Sequence, residues 1–177
     1  ICTILGGGGF IGRYLVRNLT KKNYRCIITT RKAFQKGYLK TQATPGAIEL
    51  LEWNTGNLSA VEDAIKNSHI VINLVGILYE TRKQKFYKLH ATLPEAIAKI
   101  CARSNVEKLI QISAIGSSKD SRSLYQRSKF QGETNVLNNF KNSIIIRPSV
   151  VESHSSNFSS LYSNIIDSLI FHYKWAL

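Results

Sequence analysis

The stretch Leu5-Gly6-Gly7-Gly8-Gly9-Phe10-Ile11-Gly12-Arg13 restricts the possible folds more than any other segment of this 177-residue chain. It follows the apolar residues Ile1, Ile4 and Leu5 and leads into Ile11, Leu15 and Leu19 at helical spacing, so it reads as strand, tight turn and helix start. Glycines at Gly6, Gly9 and Gly12 let the backbone turn sharply, approach a phosphate without a Cβ in the way, and aim the first N–H groups of the helix at negative charge. With Phe10, Ile11 and Arg13 opening the helix, this is the order that a dinucleotide pyrophosphate requires. Four consecutive glycines outside that order would be only a flexible loop.

Apolar, β-branched runs alternate with helical patterns along the rest of the chain. Strands are expected near Ile1–Leu5, Arg25–Thr30, Ile48–Trp53, Ile70–Val75, Lys108–Ser113 and Ser143–Arg147. Helices are expected near Phe10–Lys21, Ser59–Asn67, Arg82–Arg103 and Ser123–Phe140, with Pro94 kinking the third or marking a helix start. The segment Lys32–Gly46 reads as loop or short helix. Repeated βαβ units predict an α/β fold, a Rossmann-like doubly wound parallel sheet with helices on both faces. One nucleotide-binding domain is expected over residues 1–150. Residues 151–177 read as a residual segment, the start of a substrate-side region that is largely missing. The chain begins at Ile1 and contains no Met, so preceding residues, and with them a targeting segment, are left open.

A net charge of +13, from 24 Lys plus Arg against 11 Asp plus Glu, favours anionic partners: phosphates, an acidic membrane surface or an acidic subunit. The cations are scattered, with no basic tail or aromatic-basic stripe, so specific nucleic-acid binding is not expected. No apolar run approaches the roughly 18–20 residues that span a bilayer. Cys2, Cys26 and Cys101 lie among apolar neighbours without metal-ligand spacing, and read as buried thiols in a reducing compartment rather than as a metal site.

The type of cofactor is argued from a gap. A fold that prefers NAD(H) places Asp or Glu about 20 residues beyond the glycines to bond the ribose 2′-OH. No acidic residue occurs between Arg13 and Ile48, and the second strand ends in Thr29-Thr30-Arg31-Lys32. Arg31 can pair with a 2′-phosphate and Arg13 can add a second positive charge, so NADP(H) is expected over NAD(H). Asn57-Leu58 either contacts adenine or caps the helix that follows. Asn73, Val75 and Gly76 close the fourth strand, where Gly76 serves either a close ligand approach or only a turn. Tyr125 and Lys129, four residues apart, share one helix face; there a phenol whose pKa the ammonium and the positive nicotinamide together lower can exchange a proton with a carbonyl or alcohol. The same spacing is commonplace on exposed helices.

Together, Gly6-x-x-Gly9-x-x-Gly12, Asn57-Leu58, Asn73-x-x-Gly76, Tyr125-x-x-x-Lys129 and Arg147-Pro148-Ser149 resemble the atypical or extended short-chain dehydrogenase/reductase superfamily. Gly7–Arg13, Val71–Glu80, Ile112–Gly116 and Ile146–Ser149 more closely resemble its branch of thirty-nine-kilodalton NADPH-binding accessory subunits of respiratory complex I, in bacterial form. The resemblance covers roughly residues 1–151. It implies a Rossmann domain with tightly bound NADPH, complex I subunits as partners and a structural role in assembly, with little or no independent catalysis. It further implies a position on the cytoplasmic face of a bacterial inner membrane or, alternatively, on the matrix side of the mitochondrial one. Tyr125 and Lys129 would then serve mainly as cofactor contacts. The superfamily's serine falls on Ala114, leaving Ser113 as substitute, and Val151-Glu152-Ser153 lacks the usual glycine. The alternative is an NADP-dependent reductase, dehydrogenase or epimerase with Tyr125 as acid/base, Lys129 as activator and Ser113 as third member; a redox-sensing module has support from charge alone.

Overall fold

The computed structural model describes residues 1–149. Six strands, β1 (Cys2–Leu5), β2 (Cys26–Thr30), β3 (Ile48–Glu52), β4 (Ile70–Asn73), β5 (Lys108–Ile112) and β6 (Ser143–Ile146), form one sheet in the order β3-β2-β1-β4-β5-β6. Every neighbouring pair is parallel. Cys2 stands level with Cys26 on one side and Ile70 on the other, so the C-terminal ends of β1, β2 and β4 finish side by side. There the strand order reverses, and a crevice opens.

Strand residues alternate between two apolar cores because successive side chains point to opposite faces. Ile4, Ile28, Ile72 and Ile110 pack under helix α1 (Phe10–Lys21) through Leu15, Val16 and Leu19. Leu5, Val71 and Leu109 pack on the other face against Val61 and Ile65 of α2 (Ser59–Lys66), Ile97 of α3 (Leu93–Ala102) and Val136 of α4 (Leu124–Asn139). Each such fully buried side chain contributes about 1.5–3 kcal/mol, and covering both faces explains the near-continuous apolar runs. The parallel sheet with helices on both faces is therefore as expected. All three cysteines are buried and free. The expected segment 151–177 lies outside the described residues.

One open local alternative is decided and one expectation changes. The stretch read as loop or short helix contains a 3₁₀ helix, Phe34–Gln42, anchored by buried Leu39. The helix expected over Arg82–Arg103 starts only at residue 86 and passes through a wider, π-type turn at Lys88–Thr92, in which the Leu93 N–H donates to the Lys88 carbonyl, before α3 begins. Pro94 lies in the first turn of α3. It has no N–H for the His90 carbonyl four residues back, and its ring would collide with that carbonyl in a regular helix, so the backbone widens. Gly132 of α4 packs directly on this turn: a Cβ there would fall inside the contact radius of the His90 carbonyl oxygen. Asn135 adds hydrogen bonds to the Ala91 carbonyl (3.3 Å) and the Glu95 carboxylate (3.2 Å).

Gly132→Ala is expected to lower unfolding free energy by about 1–3 kcal/mol in urea titrations, the usual cost of overpacking. Gly56→Ala, at a position with nothing within 4 Å of a new Cβ, should change it by about 0.5 kcal/mol or less. Equal effects of the two would contradict the packing described.

Candidate functional site

A cleft of about 890 Å³ opens where the strand order reverses. Its walls are the glycine turn (Gly6, Gly8, Gly9), the end of β2 from Thr29 to Lys32, Gln35 and Lys36 of the 3₁₀ helix, Trp53 and Thr55 after β3, and Leu74–Tyr79 after β4. Gly6 adopts φ +75°, which L side chains rarely tolerate, and its N–H donates to Thr29 Oγ1 (3.1 Å). Gly12 is fixed by packing, because a Cβ would collide with the Gly7 carbonyl. Gly9, the N-cap of α1, differs: a Cβ there would meet nothing in the protein closer than the Gly6 carbonyl oxygen at 3.4 Å. The space that its missing side chain leaves belongs to the cleft. No carboxylate lies in the first turn of α1, so the helix start presents unopposed positive potential.

Electrostatically the cleft is one-sided. Arg31, Lys32 and Lys36 line it, and among the described residues none that lines it is acidic. Glu52, at the end of β3, is turned to the Ala33 N–H (3.1 Å). Arg13 lies outside the lining: its guanidinium rests on the rings of Phe10 and Tyr14, each 4.9 Å away, and Nη2 donates to the Tyr14 hydroxyl (3.3 Å). Among the described residues its buried Nε has no acceptor. Phe10 and Ile11 form the first turn of α1. A glycine cradle and three cations without a carboxylate fit a multiply charged phosphate ligand.

The remaining expected residues separate into supports and wall. Asn57 Oδ1 accepts from the Ser59 hydroxyl (2.6 Å) and its carbonyl accepts from Trp53 Nε1 (2.7 Å), so Asn57 and Leu58 brace the turn before α2 while Trp53 and Thr55 reach the cleft. Asn73 is buried; it donates to Gln111 Oε1 (2.8 Å) and accepts from the Val75 N–H (3.1 Å), which holds Val75 and Gly76 in the cleft wall.

Tyr125 and Lys129 come together on α4 beside that wall. Lys129 is only 6% exposed. Its Nζ donates to the Ile112 carbonyl (3.3 Å) and occupies the room left by Gly76, whose Cβ would stand 3.2 Å from it. Burial pushes the ammonium down to about 8, opposed by Glu133, whose carboxylate is held by Arg147 in a two-point contact of 2.9 and 2.6 Å. The expectation that Lys129 lowers the phenol pKa is corrected here. Burial raises Tyr125, and the Lys129 Nζ stands over the ring, 5.9 Å from its centroid. Ser113, buried at the end of β5, lies 3.2 Å from Ser117 Oγ, which itself donates to the Ala114 carbonyl (2.7 Å). The Ser113 O–H is therefore engaged as donor to Ser117.

His90 was not singled out from the sequence. It lies in the π-type turn, 1% exposed, with Nε2 accepting from the Ile77 N–H (3.1 Å) and Nδ1 3.0 Å from Ser128 Oγ. Its ring stacks on Phe86 and meets the Tyr125 ring edge-on (5.3 Å). Burial, reinforced by the Lys129 charge, pushes the imidazole down to about 3. The one signal for it was its place four residues before Pro94, at the carbonyl that a helical proline strands.

Strand order, glycine turn and cleft define a Rossmann-type α/β fold. The chain belongs to the NAD dependent epimerase/dehydratase family, whose profile matches residues 2–174. It is 32% identical to the mitochondrial NADH dehydrogenase [ubiquinone] 1 alpha subcomplex subunit 9 of Mus musculus, over 100% of this chain and 45% of that protein. It is 29% identical to the mitochondrial NADH-ubiquinone oxidoreductase 40 kDa subunit of Neurospora crassa, over 82% of this chain and 39% of that protein. The chain thus spans less than half the length of these relatives. Among solved structures, UDP-glucuronic acid 4-epimerase from Bacillus cereus in complex with NAD superposes with a TM-score of 0.72 at 16% identity, covering 96% of this chain and 62% of that one.

His90 ties stability to pH. Its folded pKa of about 3 lies below the ordinary 6.5, so between these values the unfolded chain binds more protons and stability falls as pH drops. The contribution from this group is full above about 6.5 and is lost towards about 3, with a slope of at most about 1.4 kcal/mol per pH unit. Urea titrations from pH 7 to pH 4 should show a shallower decline for His90→Phe than for the parent chain; identical slopes would contradict this.

Proposed function

We propose that this chain is the nucleotide-holding part of an NADP(H)-binding accessory subunit of respiratory complex I, in which the bound cofactor stabilises the subunit rather than turning over. The observation that carries the cofactor preference is the cleft edge made by Arg31 and Lys32, just after β2, and by Lys36 of the 3₁₀ helix, with no carboxylate among the described residues that line it. A 2′-phosphate gains charge-assisted bonds there, whereas a ribose 2′-OH finds no acceptor of the kind NAD(H) sites supply. Gly6, Gly9 and the start of α1 would hold the pyrophosphate, and Val75, Gly76 and Lys129 would flank the nicotinamide half. The cofactor, when bound, would supply hydride chemistry.

The structural role is supported by Ser113, whose O–H is engaged by Ser117 instead of being offered to a substrate carbonyl. Assembly with complex I is supported by the names of the mouse and Neurospora crassa relatives. Because those names are mitochondrial, they favour the matrix side of the inner membrane over a bacterial cytoplasmic face. Among the described residues no helix is long and apolar enough to cross a membrane, and the net charge of +13 would suit an anionic bilayer surface or acidic partner subunits.

A second reading, an NADP-dependent reductase or epimerase, draws on the Tyr125–Lys129 pair. A buried ammonium near pKa 8 beside Gly76 is suited to hold a ribose hydroxyl next to the Tyr125 ring. A 24% identity to the ceramide reductase of Caulobacter vibrioides also falls on this side.

One experiment addresses both cofactor and partner. Arg31→Asp is expected to weaken NADPH binding by about 10- to 100-fold, the loss of a charge-assisted contact worth about 1.5–3 kcal/mol, and to leave NADH binding within about threefold. The parent chain should also sediment with complex I. Equal loss for both nucleotides would remove the 2′-phosphate role. A chain absent from complex I that reduces a carbonyl with NADPH would overturn the structural role in favour of the second reading.

A further inference from the structure

His90 joins the two parts of the cleft that would have to act together. On one side the Ile77 N–H, in the strip after β4 that walls the cleft, donates to Nε2 at 3.1 Å. That bond leaves Nδ1 to carry the proton, which it donates to Ser128 Oγ at 3.0 Å; Ser128 in turn donates to the Tyr125 carbonyl at 2.7 Å. On the other side the imidazole face and edge form a three-ring cluster with Phe86 (5.4 Å, 22°) and Tyr125 (5.3 Å, 87°), and Phe86 meets Tyr125 edge-on at 5.6 Å. The imidazole thus fills both of its hydrogen-bonding positions with elements that are distant in the chain, while packing against the ring of Tyr125.

The surroundings keep this link rigid. Gly132 presses α4 onto the His90 carbonyl, and Gly76 leaves its Cβ space to the Lys129 ammonium, with His90 Nε2 3.6 Å from the same point. A buried neutral imidazole can hold one donor and one acceptor in fixed directions at once, which no apolar side chain of its size can do. Its depressed basicity keeps it in that neutral form throughout the physiological range.

We propose that His90 is a positioning residue: it locks the Gly76–Ile77 wall of the cleft to the Tyr125–Ser128–Lys129 face of α4, and so sets the width of the nicotinamide end of the site. This rests on the cofactor reading above. Without the lock, the Ile77 peptide is free to turn its N–H into the cleft, and the wall and Tyr125 no longer keep a fixed spacing. His90 would not touch the reacting atoms itself.

The test uses the full chain and two readouts. The first is the dissociation constant for NADPH. The second is hydrogen exchange of the Ile77 amide with the Tyr125 ring resonances, measured by NMR without nucleotide. His90→Phe keeps a ring between Phe86 and Tyr125 but removes both hydrogen bonds. It should weaken NADPH about tenfold, the loss expected from roughly 1.4 kcal/mol, speed Ile77 exchange and shift the Tyr125 ring. His90→Gln, with an acceptor and a donor, should recover most of the affinity and the Ile77 protection. Unchanged Ile77 exchange in His90→Phe overturns the proposal whatever the nucleotide does. Unchanged NADPH affinity in a variant with faster Ile77 exchange also overturns it, while leaving the cofactor reading intact. Failure of the parent chain to bind NADPH sinks the cofactor reading and, with it, the role assigned to His90. Should His90→Phe not fold, Ser128→Ala takes its place, with weaker NADPH binding and faster Ile77 exchange expected and parental values of both contradicting the lock.

Discussion

The close approach of backbone to backbone at the glycine turn governs this molecule. The Cα of Gly12 lies against the Gly7 carbonyl with no room for a Cβ, and Gly7 itself sits on Ile4 and Ile28, where a Cβ would come within 2.8 Å of Ile28 Cγ2. These contacts seat the start of α1 directly on the ends of β1 and β2. The same turn then does two jobs: it completes the apolar core on one face of the sheet through Leu15, Val16 and Leu19, and it leaves the helix N-terminus open towards the cleft beside Gly9. Stability and binding geometry arise from one packing event.

A second close approach balances it across the sheet. Pro94 cannot bond the His90 carbonyl in a regular helix, and Gly132 lets α4 close onto the widened turn that results. The consequence reaches the site, because α4 carries Tyr125 and Lys129 and the widened turn carries His90. Lys129 then finds its ammonium buried between the Ile112 carbonyl and Gly76. Such a group is costly to bury charged, and it is tolerated here through a backbone acceptor and the nearby Glu133, which Arg147 neutralises in part.

Much of this was legible in the sequence because it depends on local rules. Short, near-continuous apolar and β-branched runs located the six strands of the described residues, helical spacing located α1, α2 and α4, and the gap in acidic residues between Arg13 and Ile48 anticipated a cleft edge made of Arg31 and Lys32. What escaped depends on residues far apart in the chain. Asn57 was a candidate for the cleft, yet its amide oxygen is turned to Ser59 and Trp53 reaches the cleft instead. Lys36 reaches the cleft only because the 3₁₀ helix folds back under the glycine turn. His90 had no motif around it; its role comes from Ile77 and Ser128, 13 and 38 residues away. The phenol of Tyr125 was misjudged for a related reason: spacing places a lysine near a tyrosine but does not say whether the ammonium meets the hydroxyl or the ring.

The glycine turn is held to cradle the diphosphate of a pyridine dinucleotide, and Gly9 tests this most directly, since a Cβ there would meet only the Gly6 carbonyl oxygen, at 3.4 Å, within the described protein. Calorimetric titration of the parent chain and of Gly9→Val with NADPH is the measurement. Binding is expected for the parent and its loss for the variant, with the two unfolding at nearly the same urea concentration. A folded parent chain without affinity for NADPH or NADH, or a Gly9→Val variant that binds as the parent does, would contradict it.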